Sequence, residues 1–118
     1  MTTVTFIRQG EALYGFQASG HAGYDAYGKD ILCAAVSALT QSASQGITQV
    51  ARAKAEVRTD EKEGFLELTL TQDENTERFR YAQVLLKTLE NALVAIAKDR
   101  QYSGKIRINY RERRQKHV

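Results

Sequence analysis

The chain has no proline, one cysteine and two histidines among its 118 residues. No proline-rich or low-complexity stretch forms a linker, and no composition shift marks a boundary. The sequence therefore predicts a single domain over residues 1–110 and a basic C-terminal tail over 111–118. One cysteine excludes an internal disulfide, so nothing points to an oxidising compartment. It also leaves no second thiol to resolve a mixed disulfide, which argues against a redox or thiol-transfer role. The histidines, His21 and His117, stand in no cluster with ligand spacing, so no metal is expected. Neither GxxxxGK[ST] nor GxGxxG after a strand is present, and no cofactor is expected. No run approaches the ~20 apolar residues that span a bilayer. The N-terminal MTTVTFIRQG lacks the charged start and apolar run of a signal peptide. These absences suggest a cytoplasmic protein with no membrane partner.

What is present suits a folded globule. Hydrophobic residues make up 42% and charged residues 26% of the chain, with a net charge of +3. Residues 3–8 and 12–18 alternate as strands, with Val4 and Phe6 on one face and Tyr14, Phe16 and Ala18 on another. Gln9-Gly10 reads as the hairpin turn between them. A glycine-rich loop over 19–29 follows. Asp30 then opens a helix as its N-cap, running to about residue 50. Along it Ala34, Ala35, Ala38 and Ala43 keep the surface thin enough to approach a sheet. Residues 53–60 and 64–71 form a second hairpin, in which Leu66, Leu68 and Leu70 alternate with polar residues. A second helix covers about 75–98, with an apolar stripe of Phe79, Leu86, Leu89, Leu93 and Ile96. Lys105–Tyr110 is the last strand, with Ile106, Ile108 and Tyr110 pointing one way. The order β-β-α-β-β-α-β predicts an α+β fold of two layers: a mixed or antiparallel sheet with both helices on one face. The strand order is open.

The chemistry concentrates in residues 20–39, GHAGYDAYGKDILCAAVSAL. With Asp30 as N-cap, Ile31, Leu32 and Cys33 are the first helical residues, and their N–H groups lack partners inside the helix. A thiol there gains thiolate character from those donors and the helix dipole. The same donors suit an oxyanion. His21, upstream across the loop, supplies a base before attack and a proton for the leaving group afterwards. Asp30 has two available jobs, helix cap or orienter of the imidazole. Ser37, one turn beyond Cys33, either lines the site or fills a helix–sheet contact. Gly20, Gly23 and Gly28, with Tyr24 and Tyr27, make a flexible loop suited to closing over an extended substrate. Tyr24, Tyr27, Ile31 and Leu32 are candidates for its apolar walls. The plain alternative is a small buried cysteine on an amphipathic helix.

Gly20-His21-Ala22, then Gly28 and Asp30-Ile31-Leu32-Cys33-Ala34-Ala35-Val36-Ser37, resemble the signature of the ribosomal-processing cysteine proteases, the Prp family. Leu32 stands where that pattern usually has valine. The resemblance implies an N-terminal peptide of a large-subunit ribosomal protein, numbered twenty-seven, as substrate, cut after two phenylalanines during bacterial ribosome assembly. It also implies Cys33 as nucleophile, His21 as base, and a homodimer. The C-terminal RINYRERRQKHV, rich in arginine, suggests contact with the ribosome or ribosomal RNA. The competing function is a non-enzymatic ribosome- or RNA-associated binding module.

Overall fold

The computed structural model describes residues 1–20, 27–71 and 74–114, with the side chains of residues 27–30 outside that description. The elements are β1 (Thr2–Gln9), β2 (Ala12–Ser19), α1 (Tyr27–Gln45), β3 (Ala55–Asp60), β4 (Phe65–Leu70), α2 (Glu77–Lys98) and β5 (Ile106–Glu112). One five-stranded sheet runs in the order β3-β4-β2-β1-β5. β5 lies parallel to β1, and the other neighbours are antiparallel. The sheet is therefore mixed, and the element order matches the alternation read from the sequence.

Register explains which side chains reach the core. Val4 pairs with Ala18, and Phe6 with Phe16. Phe16 pairs in turn with Leu68, and Ala18 with Leu66. These six side chains share one face, and each is at most 5% exposed. Both helices cover that face. α1 contributes Leu32, Val36, Thr40, Ala43 and Ile47, the last from a π-helical turn (Gly46–Val50) that extends it. α2 contributes Phe79, Ala82, Leu86, Leu89 and Leu93, and Ile96 packs at the margin. Each large apolar side chain buried this way stabilises by about 1.5–3 kcal/mol. The opposite face carries no helix. Thr3, Thr5, Gln17 and Glu67 lie half-buried on it, with Arg58 paired to Glu67 at 2.8 Å.

Several boundaries differ from expectation for local reasons. The hairpin turn is Gly10-Glu11 rather than Gln9-Gly10, because the positive φ of 60° falls on Gly10. Ala34 and Ala38 face solvent, so the sheet-facing stripe of α1 is made of larger residues. The first helix closes at Arg52, in the left-handed region at φ 56°, where Ala53 N–H donates to the Ile47 carbonyl. Thr76 caps α2 by accepting from Phe79 N–H at 3.1 Å. Arg111 and Glu112, assigned to the tail from sequence, belong to β5. They pair with Ile7 and Arg8, and Glu112 bonds the Arg8 guanidinium at 3.1 Å.

The β1–β2 register slips between Ile7 and Arg8. The carboxamide of Gln83 on α2 compensates by bonding both the N–H and the C=O of Leu13, at 2.8 and 2.7 Å. Nearby, β4 presses so close to Gly15 that a Cβ there would lie 2.0 Å from the Leu68 carbonyl oxygen. Gly15→Ala is expected to destabilise the fold by about 1–3 kcal/mol in urea unfolding. Gly10→Ala, with open space around it, costs only its positive-φ strain of about 1 kcal/mol; equal losses would contradict this reading.

At the other edge, the Tyr110 hydroxyl donates to Glu90 of α2 at 2.5 Å. That hydrogen bond, followed by partial burial and the Glu90 charge, holds the phenol above its ordinary value of 10.0. A raised folded-state pKa favours the neutral form, so its contribution is whole below pH 10 and lost as the pH climbs through the raised value. The stability gap between wild type and Tyr110→Phe should accordingly narrow above pH 10 in urea titrations.

Candidate active site

The sulfur of Cys33 emerges where three backbone segments converge. Thr2, at the start of β1, is 3% exposed, yet its hydroxyl is polar and faces inward. Oγ1 lies 4.0 Å from Cys33 Sγ and donates to the Gly20 carbonyl at 3.5 Å. Gly20 ends the β1–β2 hairpin in the left-handed region at φ 77°, and a Cβ there would meet the Met1 carbonyl oxygen at 2.4 Å. Glycine is thus required twice over, by conformation and by space. The thiol, the start of β1 and the entry to the loop are held together through one hydroxyl. Thr2 was not singled out from the sequence. The available signal was a polar residue in phase with the inward-facing Val4 and Phe6.

Cys33 itself is half-buried and carries no disulfide. Its neighbours show how α1 is rotated. Leu32 is 2% exposed, whereas Ile31 is 57% exposed. Leu32 is therefore a core residue and forms no wall of an open site, contrary to the sequence expectation. Ile31 remains available for that role. Ser37 follows Cys33 by one turn, roughly 6 Å along the axis, and is likewise half-buried.

The helix start is also corrected. α1 begins at Tyr27, so Asp30 has helical backbone and is not the residue that opens the helix. The N–H groups without intrahelical partners belong to the turn before Ile31. Cys33 lies in the second turn, with carbonyls of the first turn in reach of its N–H. The expected set of free donors at residues 31–33 is not formed by the helix start. The sequence reading placed Gly28 and Tyr27 in the loop, but their backbone is helical. His21, Gly23 and Tyr24 lie outside the described residues, as do the side chains of Tyr27 and Asp30.

From Ser37 a groove of about 520 Å³ runs between α1 and the β3–β4 hairpin. Gln41 and Ser44 continue its helical wall, and Val57, Phe65 and Leu66 supply an apolar wall opposite. The spacing Cys33, Ser37, Gln41, Ser44 keeps these residues on one side of the helix. The groove therefore begins one helical turn beyond Cys33, with one polar and one apolar side. Among the described residues no group of histidine, cysteine and carboxylate side chains could hold a metal ion.

A half-buried helix thiol one turn before a groove, on a small α+β frame, is the layout of a thiol hydrolase. The sequence profile of the family described as Cysteine protease Prp matches residues 1–107, and the chain belongs to that family of cysteine proteases. A ribosomal processing cysteine protease Prp of Staphylococcus aureus (strain Mu50 / ATCC 700699) is 29% identical over 92 residues, which are 78% of this chain and 81% of that protein. The crystal structure of an essential ribosomal processing protease Prp from Staphylococcus aureus in complex with a substrate peptide has a TM-score of 0.80 at 25% identity. It covers 94% of this chain and all of that one, 100%. A further crystal structure of that protease, with a covalently linked product peptide, has a TM-score of 0.77 at 27% identity and the same coverage of 94% and 100%.

The placement of Cys33 has a direct test. In the folded protein iodoacetamide is expected to modify this thiol without denaturant, giving a single adduct by intact mass. Reaction only after unfolding would show that the sulfur is sealed in the packing.

Proposed function

We propose that this chain is an endopeptidase that removes the N-terminal extension of a large-subunit ribosomal protein, the one numbered twenty-seven, during bacterial ribosome assembly. The observation that carries the reading is the half-buried Cys33, one helical turn before the groove, with its sulfur in contact with Thr2, which bonds the residue that leads into His21.

In this reading His21, which follows Gly20 in the chain, takes the thiol proton. The Cys33 thiolate attacks the scissile carbonyl carbon and forms a tetrahedral oxyanion. Collapse breaks the C–N bond, and the protonated His21 gives its proton to the departing amine. Water then adds to the thioester, His21 accepts its proton, and the acid product leaves with the thiol regenerated. The Staphylococcus aureus complex with a covalently linked product peptide supports a covalent route. Asp30 and Ser37 are supporting residues, and Gly20, Gly23, Tyr24, Tyr27 and Gly28 belong to the segment that meets the substrate.

Cys33 to Gln45 spans about 18 Å along the helix, room for about five extended residues. Val57 and Phe65 along that groove offer apolar surface for aromatic side chains. Burial of one phenylalanine there would contribute ~1.5–3 kcal/mol. The protein acts in the cytoplasm as a homodimer, and its basic C-terminal region contacts ribosomal RNA. Among the described residues no helix is long and apolar enough to cross a membrane.

Mass spectrometry of the extended ribosomal protein after incubation with each variant tests the reading. Wild type should yield one cut after paired phenylalanines, Cys33→Ala none, and His21→Ala at most a small residue of activity, with a loss of at least about 10²-fold. Undiminished cleavage by Cys33→Ala would refute it.

A further inference from the structure

At the end of the sheet remote from Cys33, β5 presents Arg111 on the face that no helix covers, in register with Ile7; Asn109 and Arg107 lie further back on that face, level with Thr5 and Thr3. Arg113 and Arg114 continue beyond the strand. A cleft of about 950 Å³ opens there, walled by Arg111, Arg113, Arg114, Thr69 and Thr71. One arginine of the cleft is held in place: Arg113 lies over the Tyr14 ring at 4.0 Å and donates to Gln9 at 3.1 Å. Glu112, the carboxylate nearest the cluster, is neutralised by its ion pair with Arg8. Arg107, Arg111 and Arg114 are exposed, and their side chains make no hydrogen bond or ion pair among the described residues. The other carboxylate at the cleft, Glu56, stands on β3, four strand spacings from β5, or about 19 Å.

We propose that this cleft is a docking site for the phosphodiester backbone of RNA. The inference deepens the ribosomal RNA contact named above, and it rests on that reading only for the cellular source of the RNA. Guanidinium forks match phosphate oxygens bidentately, and a side chain already held by a ring and an amide loses little freedom on binding. Arg111, Arg113 and Arg114 lie within four residues of one another at the end of the edge strand, close enough together to meet neighbouring phosphates of an extended strand. On this face β1 and β5 carry no aromatic ring, so bases have nothing there to stack on. Recognition is therefore by backbone charge, without sequence preference. Arg111 lies level with Ile7, about 16 Å along the sheet from Thr2 and the thiol. RNA and peptide can be held at once, and the enzyme is thereby tethered beside a substrate that emerges from an RNA-rich particle. The rival account is that the arginines only protect an exposed sheet edge from pairing with another chain.

Fluorescence anisotropy of a labelled oligouridylate, titrated with the full chain at several salt concentrations, separates the two. Binding should weaken steeply with salt. The slope of log affinity against log salt should fall by about 0.7 for each of Arg111→Gln and Arg114→Gln. Arg100→Gln, which removes the same charge outside the cleft, should leave the slope unchanged, as should Cys33→Ala. Cleavage of a short peptide should be unaffected by Arg111→Gln, so failure here and failure of the protease reading are separable. Arg113→Gln, which also lines the cleft, provides a further variant if either single change disturbs folding. Absence of salt-dependent binding, equal binding of polyglutamate, or an unchanged slope in the arginine variants with aggregation as their only effect would overturn the proposal.

Discussion

The seating of α1 on the sheet through Leu32, Val36, Thr40 and Ile47 is the constraint on which the site depends. These side chains are at most 2% exposed. Thr40 satisfies its own hydroxyl by donating to the Val36 carbonyl at 2.8 Å, so a polar residue sits in the stripe without a lost hydrogen bond. Successive helix residues are about 100° apart, so Cys33 falls on the shoulder of the buried stripe. Turning the helix by one residue would bury the sulfur or expose Leu32 and Val36, at roughly 1.5–3 kcal/mol for each large side chain lost from the core. The rotation that suits the core is the one that leaves the thiol half-open.

The mixed sheet arranges the rest. β1 is hydrogen-bonded on both sides, to β2 and β5, which fixes where its first residue ends up. Thr2 reaches the thiol from there, and the parallel pairing carries the basic end of β5 to the far side of the sheet. The two ends of the same strands thus carry different chemistry: a thiol and a groove between helix and hairpin at one end, an arginine-lined cleft at the other. A two-layer architecture leaves one sheet face free, so this separation needs no second domain.

Much of the fold was legible because its signals are local and repeated. Alternation in Leu66–Leu68–Leu70 and the three-to-four spacing from Phe79 to Leu93 each depend on one element meeting one core. The errors also have local causes. Asp30 is a good N-cap residue, but a cap preference of about 1 kcal/mol does not decide a boundary by itself, and the helix starts at Tyr27 although Gly28 is a weak helix former. Leu32 looked like a wall of the site because a single helix wheel cannot say which flank of its apolar stripe meets the sheet. Arg111 and Glu112 looked like tail residues because their strand character comes from pairing with β1, not from alternation.

The sequence by itself determined the element order, the apolar faces and the small set of residues with nucleophilic and basic chemistry, since each follows from side-chain type at a fixed spacing. Tertiary structure alone decided the strand order, the contact of Thr2 with Cys33, the groove beyond Ser37 and the position of the C-terminal arginines at the end of the sheet opposite the thiol. These are contacts between segments distant along the chain. Their geometry is set by how the sheet and helices share one core, which no window of neighbouring residues encodes.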